Sequence, residues 1–135
     1  SDVMVNNFVF NALKDKKLKL FEPHFRRNFI HVRDVVDCIL YTIENFQKMK
    51  NNIYNAGLNS ANITKLQLAQ LIKKQIKGLK LSTVKGIKDP DQRNYFVSND
   101  KLKNKGFTAK RNLTEGIKEL IKGFKVKGLK INNNY

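Results

Sequence analysis

The sequence contains the stretch Arg27-Asn28-Phe29-Ile30-His31-Val32-Arg33-Asp34-Val35. The aromatic and β-branched side chains of residues 28–32 favour a short buried strand, with a cation at its start. Asp34 follows as a candidate N-cap of a helix. Apolar residues then recur at the spacing of one helix face, at Val35, Val36, Ile39, Leu40, Ile43 and Phe46. The stretch therefore predicts a strand that leads directly into an amphipathic helix.

Helical and strand-like segments alternate on both sides of this stretch. Helices are predicted over 5–13, from a Thr64/Gln67 capping box to Gly78, over 98–106, and from Asn112 and Glu115 to Phe124. Short strands are predicted over 18–21, 53–57 and 79–84. The alternation indicates an α/β or α+β class, with short strands between about four to five helices.

The composition limits the compartment and the partners. The formal net charge is +16, from 27 Lys and Arg against 11 Asp and Glu, which indicates an anionic partner or a general bias toward lysine. The single cysteine, Cys38, excludes an internal disulfide and favours a reducing compartment, and its apolar helical context predicts a buried thiol. Because no apolar run approaches ~20 residues and no signal segment begins the chain, we expect a cytoplasmic protein without a membrane partner.

The sequence lacks the motifs of a complete active site. Its seven glycines are too far apart for the G-x-G-x-x-G turn that lets a backbone approach a pyrophosphate. No tyrosine is followed four residues later by a lysine, and the two His and one Cys are too few for a metal site without carboxylates. The chain is therefore expected to hold no catalytic residue, no cofactor and no metal.

The opening stretch resembles the R-[DN]-[FYW]-[IV]-[HY]-V-x-D-[VL] signature of the NAD-dependent epimerase/dehydratase family, the extended short-chain dehydrogenases. Further similar segments follow in the family's order. They are Asn6-Asn7-Phe8-Val9, residues 18–21, the D-x-R-x-Y-x-V pattern of 91–97, Lys101, Gly106-Phe107 and the L-x-x-G-I pattern of 113–117. The resemblance covers residues 3–124 and implies a carboxyl-terminal lobe of the family's fold, with the Rossmann half missing.

The resemblance also implies roles for individual residues. Arg27 would grip the diphosphate of a nucleotide sugar, because a guanidinium makes two charge-assisted hydrogen bonds to phosphate oxygens. Asn7 would meet the same diphosphate at a helix amino terminus, with a plain helix cap as the alternative. Arg93 is favoured as the second cation over Lys88, which stands where many relatives carry arginine, and Asp91 is a candidate for the ribose. Phe21 and Phe29 match positions beside the nucleotide, where core packing alone would also place an aromatic.

The implied function is the substrate-binding portion of a nucleotide-sugar epimerase, dehydratase or reductase. In the family a hydride passes between the sugar and NAD or NADP, which the enzyme's own Rossmann domain would bind. Residues 1–124 would form the lobe, and 125–135 a loose basic tail. Such a lobe alone would be inactive and would expose apolar surface, so that self-association, or a homodimer, is expected. A small basic nucleic-acid-binding module and an inactive truncated remnant are the alternatives.

Overall fold

Six helices and four short strands form the part of the chain that the computed structural model describes, residues 3–84, 86 and 91–126. The helices are α1 (Met4–Asp15), α2 (Val32–Glu44), α3 (Phe46–Met49), α4 (Lys65–Gln75), α5 (Asp100–Lys103) and α6 (Leu113–Val126). The strands are β1 (Lys17–Phe21), β2 (Arg26–Asn28), β3 (Asn62–Thr64) and β4 (Lys80–Val84), and a 3-10 turn covers Asn59–Ala61. The predicted mixed class of helices and strands is confirmed.

The strands form two separate two-stranded sheets. β1 and β4 are parallel, with Leu18 opposite Leu81 and Phe21 opposite Val84. β2 and β3 are antiparallel, with Arg27 opposite Ile63. Arg27 therefore lies close to the start of α4, because its partner Ile63 is followed by Thr64, the last residue of β3, and then by Lys65, the first residue of α4.

The main core lies between α1, α4, α6 and β1. Alternate residues of β1 point inward, so that Leu18 and Leu20 are buried while Lys17 and Lys19 are exposed. The inward faces of the three helices supply the other fully buried side chains, Val9, Ala12, Leu68, Ala69, Ile72 and Ile117. A smaller cluster of Met49, Leu102 and Phe107 fixes α5 and the segment after it.

The predicted capping box is present, and a second one begins the last helix. The Thr64 hydroxyl accepts from the backbone N–H of Gln67, and the Gln67 side chain accepts from the N–H of Thr64. Asn112 and Glu115 make the same reciprocal pair at the start of α6. The last helix extends to Val126, two residues beyond the predicted end at Phe124, and residues 127–135 lie outside the described residues.

Two details of the opening stretch differ from the prediction. The strand is Arg26–Asn28, so residues 29–31 follow it instead of forming it, because β3 offers only three residues to pair with. His31 rather than Asp34 caps α2: its Nδ1 accepts from the N–H of Arg33 at 3.1 Å. Asp34 lies in the first turn of α2 and is only 1% exposed, because its carboxylate receives Arg111.

Residues 53–57 were predicted as a strand and do not form one. The segment has no β-ladder partner among the described residues, and the Ile53 side chain is 87% exposed. Its β-branched and aromatic composition favours an extended conformation, but a strand also needs a second chain segment beside it.

The apolar face of α2 is helical as predicted, but it is exposed. Its exposed apolar side chains are Val32, Val35, Val36, Ile39, Leu40 and Ile43 on α2, and Phe46 at the start of α3. We call this set the α2 face. Cys38 is half-buried rather than buried, and partial burial raises the pKa of its thiol.

Candidate anion-binding site

Arg27 lies in the middle of β2, and its guanidinium is enclosed by backbone carbonyls. The residue is 5% exposed. One terminal nitrogen donates to the carbonyl of Arg26 at 2.8 Å and to that of Arg93, and the other donates to the carbonyl of Asp91 at 3.3 Å. The guanidinium carbon is 5.3 Å from the centroid of the Tyr95 ring. Arg27 is therefore a fixed group that ties β2 to the segment containing Asp91 and Arg93.

The carboxylate of Asp91 lies between two arginines. Its Oδ2 is 3.0 Å from the nearer terminal nitrogen of Arg27. Arg93 meets the same carboxylate with two donors, Nε to Oδ1 at 2.7 Å and a terminal nitrogen to Oδ2 at 2.8 Å. Arg27, Asp91 and Arg93 together are called the Asp91 cluster below.

The charges in the Asp91 cluster stabilise one another. The hydrogen bonds from Arg93, followed by those from Arg27, hold the pKa of Asp91 well below its usual range. The hydrogen bond to Asp91 in turn raises the pKa of Arg93. Two cations and one anion leave a net positive site that favours a further anion.

The segment that carries Asp91 and Arg93 is held beside the β2–β3 sheet by asparagines. Asn94 accepts from the backbone N–H of Arg26 at 2.9 Å. Asn62, in β3, both donates to the carbonyl of Val97 and accepts from its N–H, each at 2.9 Å. Sequence analysis missed these residues, because an asparagine that bonds a distant backbone has no local pattern to mark it.

Lys65 is a buried cation that sequence analysis also missed. It is 2% exposed, its Nζ donates to the carbonyl of Phe21 at 3.2 Å, and it lies 5.2 Å from the centroid of the Phe25 ring. Its position in the sequence could have indicated an unusual role for this lysine. Lys65 is the first residue of α4, where the helix dipole disfavours a cation, so a different role for the side chain was to be expected.

The structure brings together only some of the predicted site residues. Arg27, Asp91 and Arg93 meet, and Phe21 is linked through its carbonyl to Lys65. Phe29 packs against the main core. Within the described residues no hydrogen bond or ion pair joins Asn7 or Phe29 to the Asp91 cluster, and Lys88 lies outside the described residues.

Asn7 lies in the first turn of α1 but does not cap the helix. It is the fourth residue of α1, its side chain is exposed, and its backbone N–H donates to the carbonyl of Val3 at 3.0 Å. Val3 is the N-cap. The alternative of a plain helix cap is therefore wrong, because Val3 caps α1, whereas the contact of Asn7 with a diphosphate stays a prediction.

Two strand-to-helix junctions in the described residues lack the glycine turn of a dinucleotide site. β2 reaches α2 through Phe29, Ile30 and His31, and β3 runs into α4 without a loop, so neither junction has a glycine turn that could approach a pyrophosphate. In residues 3–84, 86 and 91–126 no group of His, Cys, Asp and Glu could hold a metal ion. In the same residues no helix has the length and apolar character of a membrane span.

Two hollows border residues 57–61, with volumes of about 360 and 250 Å³. Leu58 and Ser60 line both, and the smaller one also contacts Asn99 and Phe107. Neither is lined by a member of the Asp91 cluster. Two guanidinium groups converge at the Asp91 cluster, whereas no arginine lines either hollow, so we take the cluster as the candidate site.

Comparison with known proteins gives one family. Residues 2–57 match the family described as "NAD dependent epimerase/dehydratase family". The curated UDP-D-apiose/UDP-D-xylose synthase 2 of Arabidopsis thaliana is 32% identical over 66 residues, which is 48% of this chain and 17% of that protein.

Solved structures share the fold over nearly the whole chain. UDP-glucose 4-epimerase of Thermotoga maritima, in a structure with UDP-glucose, is 26% identical with a TM-score of 0.74, and the match covers 95% of this chain and 40% of that one. dTDP-glucose 4,6-dehydratase of Bacillus anthracis, in complex with NAD, is 22% identical with a TM-score of 0.73, covering 96% of this chain and 41% of that one. The chain therefore spans well under half the length of the relatives that it matches.

The family match, the curated relative and the shared fold agree with the signature at residues 27–35. Residues 2–57 therefore resemble the NAD-dependent epimerase/dehydratase family, and nearly the whole chain shares its fold with the two solved structures.

Proposed function

We propose that this chain binds the nucleoside-diphosphate sugar of an NAD(P)-dependent epimerase, dehydratase or reductase that works in the cytoplasm. The observation that carries the proposal is the convergence of Arg27 and Arg93 on one carboxylate. A carboxylate and a phosphate present oxygen pairs of similar geometry to a guanidinium, so a site that holds the first is suited to the second. The solved relative with UDP-glucose supports this class of substrate.

The two arginines come from distant parts of the sequence, 66 residues apart. Arg27 is fixed by three carbonyls and belongs to a sheet, whereas the Arg93 side chain is 73% exposed. A pyrophosphate has two phosphate groups, and each needs hydrogen-bond donors. The fixed guanidinium of Arg27 and the movable guanidinium of Arg93 could each supply donors to one of them. Asp91, as predicted, would lie near enough to the ligand to meet the ribose.

NAD or NADP would be bound by a Rossmann-type part of the enzyme. The described residues lack the glycine turn that such a cofactor needs, and no tyrosine of the sequence has a lysine four residues later. Hydride transfer would therefore occur on residues of that other part. We expect the 135-residue chain alone to be inactive.

The α2 face and residues 53–57 support contact with such a part. The α2 face is exposed, and residues 53–57 have no ladder partner among the described residues, as expected when a helix and a strand of a layered α/β fold lack their sheet. A second copy of the chain in a homodimer would also cover apolar surface of this kind.

The test is a calorimetric titration of UDP-, dTDP-, GDP- and CDP-sugars into the protein in the form that its gene encodes. We expect one nucleotide class to bind, and Arg27→Lys and Arg93→Gln to weaken that binding at least about tenfold, because lysine and glutamine cannot replace a bidentate guanidinium. Asp15→Asn, which changes an exposed carboxylate at the end of α1, is the control and should bind as the unaltered protein does. Failure of every nucleotide sugar to bind would refute the proposal.

A further inference from the structure

The Asp91 carboxylate already occupies the position that an anionic ligand would need. Both donors on the bidentate edge of Arg93 are used by Asp91, at 2.7 and 2.8 Å. The terminal nitrogen of Arg27 that faces the same point is 3.0 Å from Asp91. A phosphate and this carboxylate cannot accept the same hydrogens at the same time.

The two arginines differ in their freedom to exchange partners. Arg27 is 5% exposed and is fixed by three backbone carbonyls. The Arg93 side chain is 73% exposed. If Arg93 turns away, Asp91 keeps its ion pair with Arg27 and the hydrogen bond from the backbone N–H of Arg93 at 3.2 Å. The exchange therefore leaves no buried charge unpaired, so its cost is small.

We propose that Asp91 is an internal anion that occupies the site between Arg27 and Arg93 in the ligand-free chain, and that a diphosphate takes the Arg93 guanidinium from it. The inference rests on the proposed function and specifies which group the diphosphate must displace in order to bind. It differs from the role of a ribose contact, because an internal anion weakens binding whereas a ribose contact strengthens it.

The test compares Asp91→Asn with the unaltered protein, using UDP and inorganic pyrophosphate as probes. An internal anion predicts that Asp91→Asn binds both probes more tightly, by roughly ten- to a hundredfold, because a nearby like charge is removed. A ribose contact predicts weaker binding of UDP and unchanged binding of pyrophosphate, which has no ribose. Asp15→Asn makes the same change of net charge at a distant exposed position and should bind both probes as the unaltered protein does.

The outcomes separate this inference from the proposed function. Binding by the unaltered protein that Asp91→Asn does not tighten would overturn the internal anion and leave the proposed function standing. Absence of binding to either probe in both proteins would overturn both. A crystal structure of the unaltered protein with pyrophosphate gives a second measurement that does not depend on the folding of a variant. We expect Arg93 on the phosphate there, and a ligand bound with the Arg93–Asp91 pair intact would contradict the inference.

Discussion

Arg27 and Arg93 contact the same carboxylate, but only Arg27 is built into the fold. Replacing Arg27 by Met keeps the apolar stem and removes the donors, so the enclosed carbonyls of Arg26, Asp91 and Arg93 lose their partner. We expect Arg27→Met to lower the free energy of unfolding by roughly 2–3 kcal/mol. Arg93→Met is the matched control and should cost much less, because its ion pair is exposed to solvent. Urea unfolding measures both, and equal losses would contradict the structural role of Arg27.

At the scale of residues, Asp34 makes the stability of the fold depend on pH. Burial alone would raise the pKa of its carboxyl, but the backbone N–H groups of Arg111 and Lys110 and the Arg111 guanidinium outweigh burial and lower the pKa. The folded-state pKa is thus below the unfolded value of about 3.9. Asp34 therefore stabilises the fold above that pH, and the stabilisation is lost as the pH falls through the folded-state pKa.

We expect Asp34→Asn to cost roughly 2–3 kcal/mol of unfolding free energy near pH 7, since hydrogen bonds to a charged group are lost. The difference between the variant and the unaltered chain should shrink as the pH falls below about 3.9. Urea unfolding at pH 7, 5 and 3 measures it. Asp37→Asn is the control, because Asp37 binds the same Arg111 nitrogen at 2.7 Å but is largely exposed. A difference that stays constant with pH would show that the charge of Asp34 is not what stabilises the fold.

At the scale of elements, residue 57 must be a glycine because two side chains approach it. A Cβ on Gly57 would lie 1.8 Å from Oδ1 of Asn28 and 2.8 Å from Oδ1 of Asn99. Asn28 is not free to move, since its amide nitrogen donates to the carbonyl of Leu58 at 2.8 Å. Gly57→Ala should therefore lower the free energy of unfolding by roughly 1–3 kcal/mol.

Gly123 supplies the matched control for this substitution. It lies inside α6, and a Cβ there meets no atom within 4 Å. Gly123→Ala should stabilise the chain by roughly 0.5–1 kcal/mol, because alanine is the better helix former. Thermal unfolding of the two variants would show opposite shifts. A shift in the same direction for both would mean that the contacts at Gly57 are not restrictive.

The elements that sequence analysis predicted correctly are those with local signals. α1, α4 and α6 have apolar periodicity, and the Thr64 and Asn112 capping boxes are complete within four residues. The strands were harder to predict, because a strand depends on its partner. β2 ends at Asn28 since β3 is three residues long, and residues 53–57 have no ladder partner in the described part of the chain.

The candidate site likewise combines features that the sequence indicates with contacts that it does not. Arg27, Asp91 and Arg93 were found through a family resemblance, which carries information about distant contacts. Nothing in the sequence indicated that Asp91 would bind both arginines, nor that Asn62 would clamp Val97 from 35 residues away. Such contacts follow from how the β2–β3 sheet lies against the segment 91–99, and no local pattern encodes that arrangement.

At the scale of the whole molecule, the α2 face is an apolar surface that none of the described residues covers. Ile39 and Ile43 are 55% and 65% exposed and lie one helical turn apart. Contiguous exposed apolar surface drives association, and the net charge of +16 opposes it by repulsion between copies. Because salt screens that repulsion, we expect the 135-residue chain to self-associate more strongly at high ionic strength than at low.

Replacing Ile39 and Ile43 together by Asn should reduce this self-association without changing the net charge. Val126→Asn is the control, because Val126 is an exposed apolar residue at the end of α6 and outside the α2 face. Sedimentation velocity over a range of concentration and salt measures the association of the three proteins. If the unaltered chain stays monomeric in high salt, the α2 face does not drive association. If Val126→Asn dissociates the chain as well as the double variant does, the contact involves another surface.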